Sequence, residues 1–157
     1  MLHDIVVDTN VFAHASDPRN AEFTQSLAFI DALLNCDTKL AVDEIYSQTE
    51  AENRSAIFSE YLEQLQGFDL ASSVISKLID DKRIFDVATS VSQSQRNIIN
   101  QNVPDSSDRK FVKVTINTRD KVLVSNDAHD FSSRFRKLAN SKLNIEVLFA
   151  AEALNCF

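Results

Sequence analysis

The order of elements along this chain predicts an α/β domain, a three-layer α/β/α arrangement with a central, mainly parallel sheet. Three observations carry that expectation. Ile5-Val6-Val7 is an apolar run without alternation, the pattern of a parallel strand buried on both faces. Short strand-like runs recur at Lys39-Leu40-Ala41-Val42, Val122-Leu123-Val124 and Ile145-Glu146-Val147-Leu148-Phe149. Between them lie stretches with apolar residues at helical spacing, and strands alternating with helices imply right-handed parallel crossovers.

The elements follow in order. The polar stretch from His14 to Asn20 contains Asp17-Pro18, a turn or helix-start signal. Phe23, Leu27, Ile30 and Leu34 place a helix over about residues 20–35, broken by Cys36-Asp37-Thr38. The second strand ends at Asp43-Glu44, and residues 45–55 read as loop or irregular helix. Ile57, Phe58, Tyr61, Leu62 and Leu65 mark a helix closed by Gly67. Asp69 is the expected cap of the next helix, striped by Leu70, Val74, Ile75, Leu78 and Ile79. Residues 83–88 fit an edge strand or extended chain, and 92–100 a short helix. Val103 to Asp108 is a turn into a helix carrying Phe111, Val112 and Thr115. Phe131, Phe135 and Leu138 stripe a further helix, with Asp130 as its expected cap, and a short apolar helix or tail follows the last strand. Without repeats or a linker, the 157 residues form a single domain, 1–157.

Composition narrows the function. A net charge of −7 argues against a generic nucleic-acid binder. The bases are unevenly spread, however. Arg19, Lys39 and Arg54 are the only ones before residue 70, whereas Arg109, Lys110, Lys113, Arg119, Lys121, Arg134, Arg136, Lys137 and Lys142 gather later. These are either solvated helix faces or a basic rim beside an acidic pocket. Gly67 is the only glycine, which excludes a glycine-rich phosphate loop or dinucleotide fingerprint. Phosphate chemistry here must therefore use a metal or side chains. No apolar run approaches the roughly 18 residues of a membrane span, and no basic signal-peptide start is present. Cys36 and Cys156 stand in dissimilar contexts without CxxC spacing, which fits thiols in a reducing compartment, the cytoplasm. His3, His14 and His129 do not cluster at metal spacing.

The acids carry the chemistry. Asp8 and Asp127 each end a strand, so a parallel sheet brings them to one edge, where ligands of open α/β sheets bind. Carboxylates converging there repel unless a cation lies between them, and Mg²⁺ or Mn²⁺ suits oxygen ligands. Asp8 also fits an Asx turn or cap. Asp108 falls in the first turn of its helix, with Asp105 competing as cap, and Glu60 lies on a helix flank.

Val6-Val7-Asp8-Thr9-Asn10-Val11-Phe12 resembles the start of a PIN domain, a Rossmann-like ribonuclease fold that opens with a hydrophobic strand and Asp-Thr/Ser-Asn. Ile57-Phe58-Ser59-Glu60-Tyr61 resembles the helix bearing that family's glutamate. Asp108-Arg109-Lys110-Phe111-Val112 and Leu123-Val124-Ser125-Asn126-Asp127 resemble the segments bearing its third and fourth acids, so the likeness runs from Ile5 to about Phe149. Glu44, Glu50 and Glu52 also follow the second strand and compete with Glu60. The resemblance implies a metal-dependent endoribonuclease acting on single-stranded RNA. Asp8, Glu60, Asp108 and Asp127 would be catalytic, with Asp8, Asp108 and Asp127 holding one or two Mg²⁺ or Mn²⁺ ions that activate a water. Thr9 or Asn10 would orient a ligand, and Arg109, Lys110, Arg134 and Arg136 would guide phosphates. A stand-alone domain of this size resembles the toxin of a toxin–antitoxin pair or a defence nuclease, with an antitoxin or other regulatory protein as partner and a homodimeric state. The alternative is a catalytically inactive PIN-like module that binds protein or RNA. A haloacid-dehalogenase-type phosphatase is rejected because Asn10 stands where a second Asp is needed, and a receiver domain fits the Asp-Thr-Asn start poorly.

Overall fold

The computed structural model describes residues 1–157. Five strands make one sheet: β1 (Asp4–Val7), β2 (Lys39–Asp43), β3 (Ile84–Val87), β4 (Val122–Val124) and β5 (Glu146–Leu148). Their order is β3-β2-β1-β4-β5, and every pairing is parallel. Ile5, Val6, Val7, Leu40, Ala41, Val42, Leu123 and Val124 are all fully buried, which is why these strands read as unbroken apolar runs. Within the 83–88 segment, Ile84–Val87 form the edge strand β3, beside β2.

Eight helices flank the sheet: α1 (Thr9–Ala15), α2 (Phe23–Leu34), α3 (Ala56–Gln64), α4 (Asp69–Asp80), α5 (Gln93–Asn102), α6 (Arg109–Asn117), α7 (Ser133–Leu138) and α8 (Ala150–Ala153). Helix α6 packs across β1, β2 and β4 with α3 and α5 beside it, while α2 packs on α1, α4 and α8. The three-layer α/β/α class is the one the sequence predicts.

Local departures have local causes. Helix α1 begins immediately after β1, where the sequence signals only a polar stretch; Asp8 caps it, and Val11, Phe12 and Ala15 turn into the core. Asp69 lies in the first turn of α4 rather than at its cap, because Phe68 takes the extended cap conformation. Asp108 closes a 3₁₀ turn over Ser106–Asp108 that leads into α6, and Asp105 caps that turn through the Ser107 amide at 2.9 Å. Ser132, not Asp130, caps α7, its hydroxyl accepting the Phe135 amide at 3.2 Å. That leaves the Asp130 carboxyl available elsewhere. Gly67 does close α3, at φ +83°, where a side chain would be strained. Segment 45–55 is irregular, and Cys36 and Cys156 are free thiols. No helix is long and apolar enough to cross a membrane.

Candidate metal site

The strand order reverses between β1 and β4, so the crevice beyond their carboxyl ends is the topological switch point of the sheet. The Asp8 amide donates to Val124 O at 2.9 Å and continues the β1–β4 pairing one residue past the strand. Side chains then lock the two strand ends together. Ser125 Oγ and Asn10 Nδ2 donate to Asp8 Oδ2 at 2.7 and 2.9 Å, and Asn10 Oδ1 accepts the Asn126 amide at 3.1 Å. Asn126 Nδ2 in turn reaches Ser26 Oγ at 2.8 Å and His14 Nδ1 at 3.2 Å.

Beyond this clip lies a polar cavity of about 340 Å³. Asp8, Glu60, Asp108 and Asp127 all line it, with Thr9 and Asn10. Four acids from four separate segments are thus brought to one recess. Glu60 arrives on α3, which its neighbour Tyr61 anchors: Tyr61 OH donates to Val7 O, and the Tyr61 ring meets Phe12 edge-on at 5.3 Å. Thr9 Oγ1 donates to Glu60 Oε1 at 2.6 Å, and Lys110 pairs with Glu60 Oε2. Glu44, Glu50 and Glu52 are exposed and lie outside the cavity lining. Asp127 Oδ1 accepts the amides of His129 and Asp130 at 2.8 and 2.9 Å, leaving Oδ2 without a protein partner.

Burial and crowding show in the carboxyl acidities. Asp8 is 4% exposed, and desolvation, aided by the charges of Glu60 and Asp127, pushes its pKa up to about 6 against the hydrogen bonds from Ser125 and Asn10. Desolvation also pushes Asp108 up to about 8, helped by a hydrogen bond to Asp130 and by the charges of Asp8, Asp130 and Asp105. Burial opposes ionisation of Asp130 too, yet hydrogen bonds from Asp108, the His129 ring and the Asp105 amide hold it below its ordinary value. The two neighbouring carboxyls are thus pushed in opposite directions, Asp108 up and Asp130 down.

Several residues of this site have no signal of their own in the sequence. Ala13, His14, Gln64, Asp105 and Ser107 complete the cavity lining, and Ser125 supplies the shortest bond to Asp8. Carboxylate oxygens of Asp105, Asp108 and Asp130 lie within 4.8 Å of one another, an acidic cluster that can hold a metal ion. This set shares Asp108 with the one expected from the resemblance.

The basic residues part company. Arg136 is turned inward: its guanidinium donates to the carbonyls of Phe131, Ser125, Val147 and Asp127 at 2.6 to 3.3 Å and stacks 3.7 Å from the Phe149 ring. It ties α7 to the ends of β4 and β5. Arg109 donates to the carbonyls of Val103, Asn100 and Pro104 and braces the turn before α6. Lys110 faces the acid cavity through Glu60, and only Arg134 is exposed without a bonded partner. Behind the Ser106–Asp108 turn, Arg109, Lys110 and Lys113 line a second recess of about 390 Å³ with no apolar residue in its wall. The largest recess, about 660 Å³ around Cys36, Lys39 and Arg83, lies where β2 starts, at the end of the sheet remote from the acids.

No protein-family model matches the sequence, and no curated protein does. Among solved structures, VapBC2 from Rickettsia felis bound to a DNA fragment from their promoter superposes at a TM-score of 0.42 and 12% identity, over 93% of this chain and 98% of that one. So slight a likeness carries nothing about this chain's activity, and the site stands on its own geometry.

That geometry fits a hard divalent cation. Every acidic donor is an oxygen, Asp127 Oδ2 is uncommitted, and burial together with neighbouring carboxylates raises the pKa of Asp8 and Asp108, a crowding of negative charge that a cation would relieve.

Proposed function

We propose that this chain is a Mg²⁺- or Mn²⁺-dependent endoribonuclease of PIN-like type that hydrolyses single-stranded RNA. The observation that carries the reading is the meeting of Asp8, Glu60, Asp108 and Asp127 in one cavity at the switch point of the sheet. Asp8, Asp108 and Asp127 would hold the cation, which supplies charge neutralisation at the phosphate and a more acidic water. Ser125 and Asn10 fix the Asp8 carboxylate, and Thr9 fixes Glu60, so these groups orient the donors before substrate arrives. Lys113 and Arg134, with the recess behind the Ser106–Asp108 turn, offer the flanking phosphates positive charge. A flexible single strand can lower one phosphate into such a recess, whereas a duplex backbone is held too stiffly. The same reading places the protein in the cytoplasm, as a homodimer and as the toxin of a pair; co-purification of a second small protein that blocks cleavage tests the last point.

The test of activity is incubation with single-stranded RNA in Mn²⁺, Mg²⁺ or EDTA, beside Asp8→Asn. Cleavage should require the cation and fall by on the order of a hundredfold or more in the variant. Binding of RNA without cleavage, unchanged by the substitution, would favour the second reading, an inactive binding module. The pairing of Glu60 with Lys110 and the net charge of −7 are the observations on that side.

A further inference from the structure

Glu60 has a donor on each oxygen. Oε1 accepts from Thr9 Oγ1 at 2.6 Å, and Oε2 is met by Lys110 Nζ. The same ammonium donates to Ser107 O at 2.5 Å and lies 4.8 Å from the centroid of the Phe111 ring. Both members of the pair are largely withdrawn from water, with side chains 18% and 15% exposed. Lys110 is therefore a fixed charge held against Glu60, between the acid cavity and the basic recess behind the Ser106–Asp108 turn, not a mobile surface lysine. Across the cavity the acids differ. Asp8, Asp108 and Asp127 form no ion pair with any base.

The geometry points to a one-cation site in which the Lys110 ammonium permanently occupies the position beside Glu60 that a second divalent ion would otherwise take. The inference rests on the nuclease reading and deepens it. Two-metal sites place their ions roughly 3.5–4 Å apart on shared carboxylates. An ammonium already seated on Glu60 fills that volume and repels a dication from it. Lysine suits the task as a compact point charge with three donors. Two are spent on Glu60 and Ser107 O, and the third is left for an oxygen of the scissile phosphate. What stays open to a divalent ion is the side of the cavity around Asp108, the carboxylate common to the Asp8 and Asp127 set and to the Asp105 and Asp130 cluster.

Mn²⁺ titration followed by electron paramagnetic resonance and calorimetry reads the stoichiometry without reference to cleavage. Wild type should bind one ion. Lys110→Gln should bind two, with a spin-coupled pair signal, and adding Glu60→Gln to it should return the count to one. Lys110→Arg, which keeps the positive charge, should stay at one. Two ions on wild type would overturn the inference while leaving the cation-dependent site standing, and one ion on folded Lys110→Gln would overturn it as well. No ion on wild type would remove both. The wild-type titration decides without requiring any variant to fold, and circular dichroism monitors the folding of each variant.

Discussion

Thr9 Oγ1 donates to Glu60 Oε1 across 2.6 Å, joining the first turn of α1 to the flank of α3 fifty-one residues away. Thr9 is buried, so its hydroxyl has no solvent to fall back on. Thr9→Val keeps the shape and removes the donor. Hydrogen bonds to charged groups contribute about 1.5–3 kcal/mol, and that loss should appear in urea denaturation. RNA cleavage should fall roughly tenfold with it, since a loosened carboxylate loses its orientation. Thr9→Ser should recover most of both.

Asp43 acts on the same helix from the other end. Ser55 Oγ and the amides of Ala56 and Ile57 all donate to its carboxylate, at 2.6, 2.7 and 2.7 Å. An anion at a helix N-terminus satisfies open amides and the helix dipole together. Asp43→Ala should destabilise the protein by about 2–4 kcal/mol and unseat α3, taking Glu60 out of register. Asp43→Asn, which keeps an acceptor, should cost about half as much. Denaturant melts of the two variants check the order.

The acidities of Asp8 and Asp108 make the cation-free protein less stable as pH rises. A carboxyl whose folded pKa lies above its unfolded value binds more protons folded than unfolded between the two. Stability is then full below the unfolded pKa and is lost as pH climbs to the folded one. For Asp8 the window runs from 3.8 to about 6, and for Asp108 from 3.8 to about 8. At about 1.4 kcal/mol per pH unit, the Asp8 contribution is at most roughly 3 kcal/mol. Melting temperature in EDTA should fall between pH 4 and 8, and Mn²⁺ should restore it most at the alkaline end. Asp8→Asn should match wild type near pH 4 and exceed it at pH 8, which trades function for stability.

The sequence made the central sheet readable because β1, β2 and β4 are buried on both faces and so are apolar throughout. It made Asp8 and Asp127 conspicuous for the complementary reason, each being a charge set at the end of such a run. Helix α1 was hidden because its seven residues include Thr9, Asn10 and His14, which are polar for the sake of the cavity and break the helical stripe. Asp130 was hidden behind a local role that Ser132 fills instead. Basic residues are the hardest to place from sequence. Sequence gives the charge of Arg136 but not the direction of its guanidinium, which is settled by four carbonyls brought together only when the chain folds.

Ile45 carries a strain that the sequence does not announce. It sits at φ +64°, a left-handed conformation that a β-branched residue rarely adopts, and the residue is 62% exposed. Its amide donates to Asp86 Oδ2 at 2.9 Å and its carbonyl accepts the Arg54 amide at 2.8 Å, so the backbone is pinned from both sides. Ile45→Asn or Ile45→Gly should relieve the clash with little packing lost and stabilise the protein by about 1 kcal/mol. A melting temperature unchanged or lowered in both variants would show that the side chain is anchored by more than its backbone.

Arg136 and Arg134, two residues apart on α7, should separate cleanly in solution. Arg136→Met removes the donors of four carbonyls and the stack on Phe149, leaving buried acceptors unsatisfied. It should destabilise by about 3 kcal/mol or more. Lysine cannot rescue it, because a point charge does not reproduce the planar fork. Any loss of RNA affinity in this variant should track the unfolded fraction. Arg134→Ala should leave the melting temperature within a degree or two and lower RNA affinity with a shallower dependence on salt, by about one phosphate contact. Nitrocellulose binding of an uncleavable single strand at several salt concentrations, beside thermal melts, distinguishes strut from phosphate contact. An Arg136 variant that stays folded yet loses the salt slope would return that residue to the nucleic-acid surface.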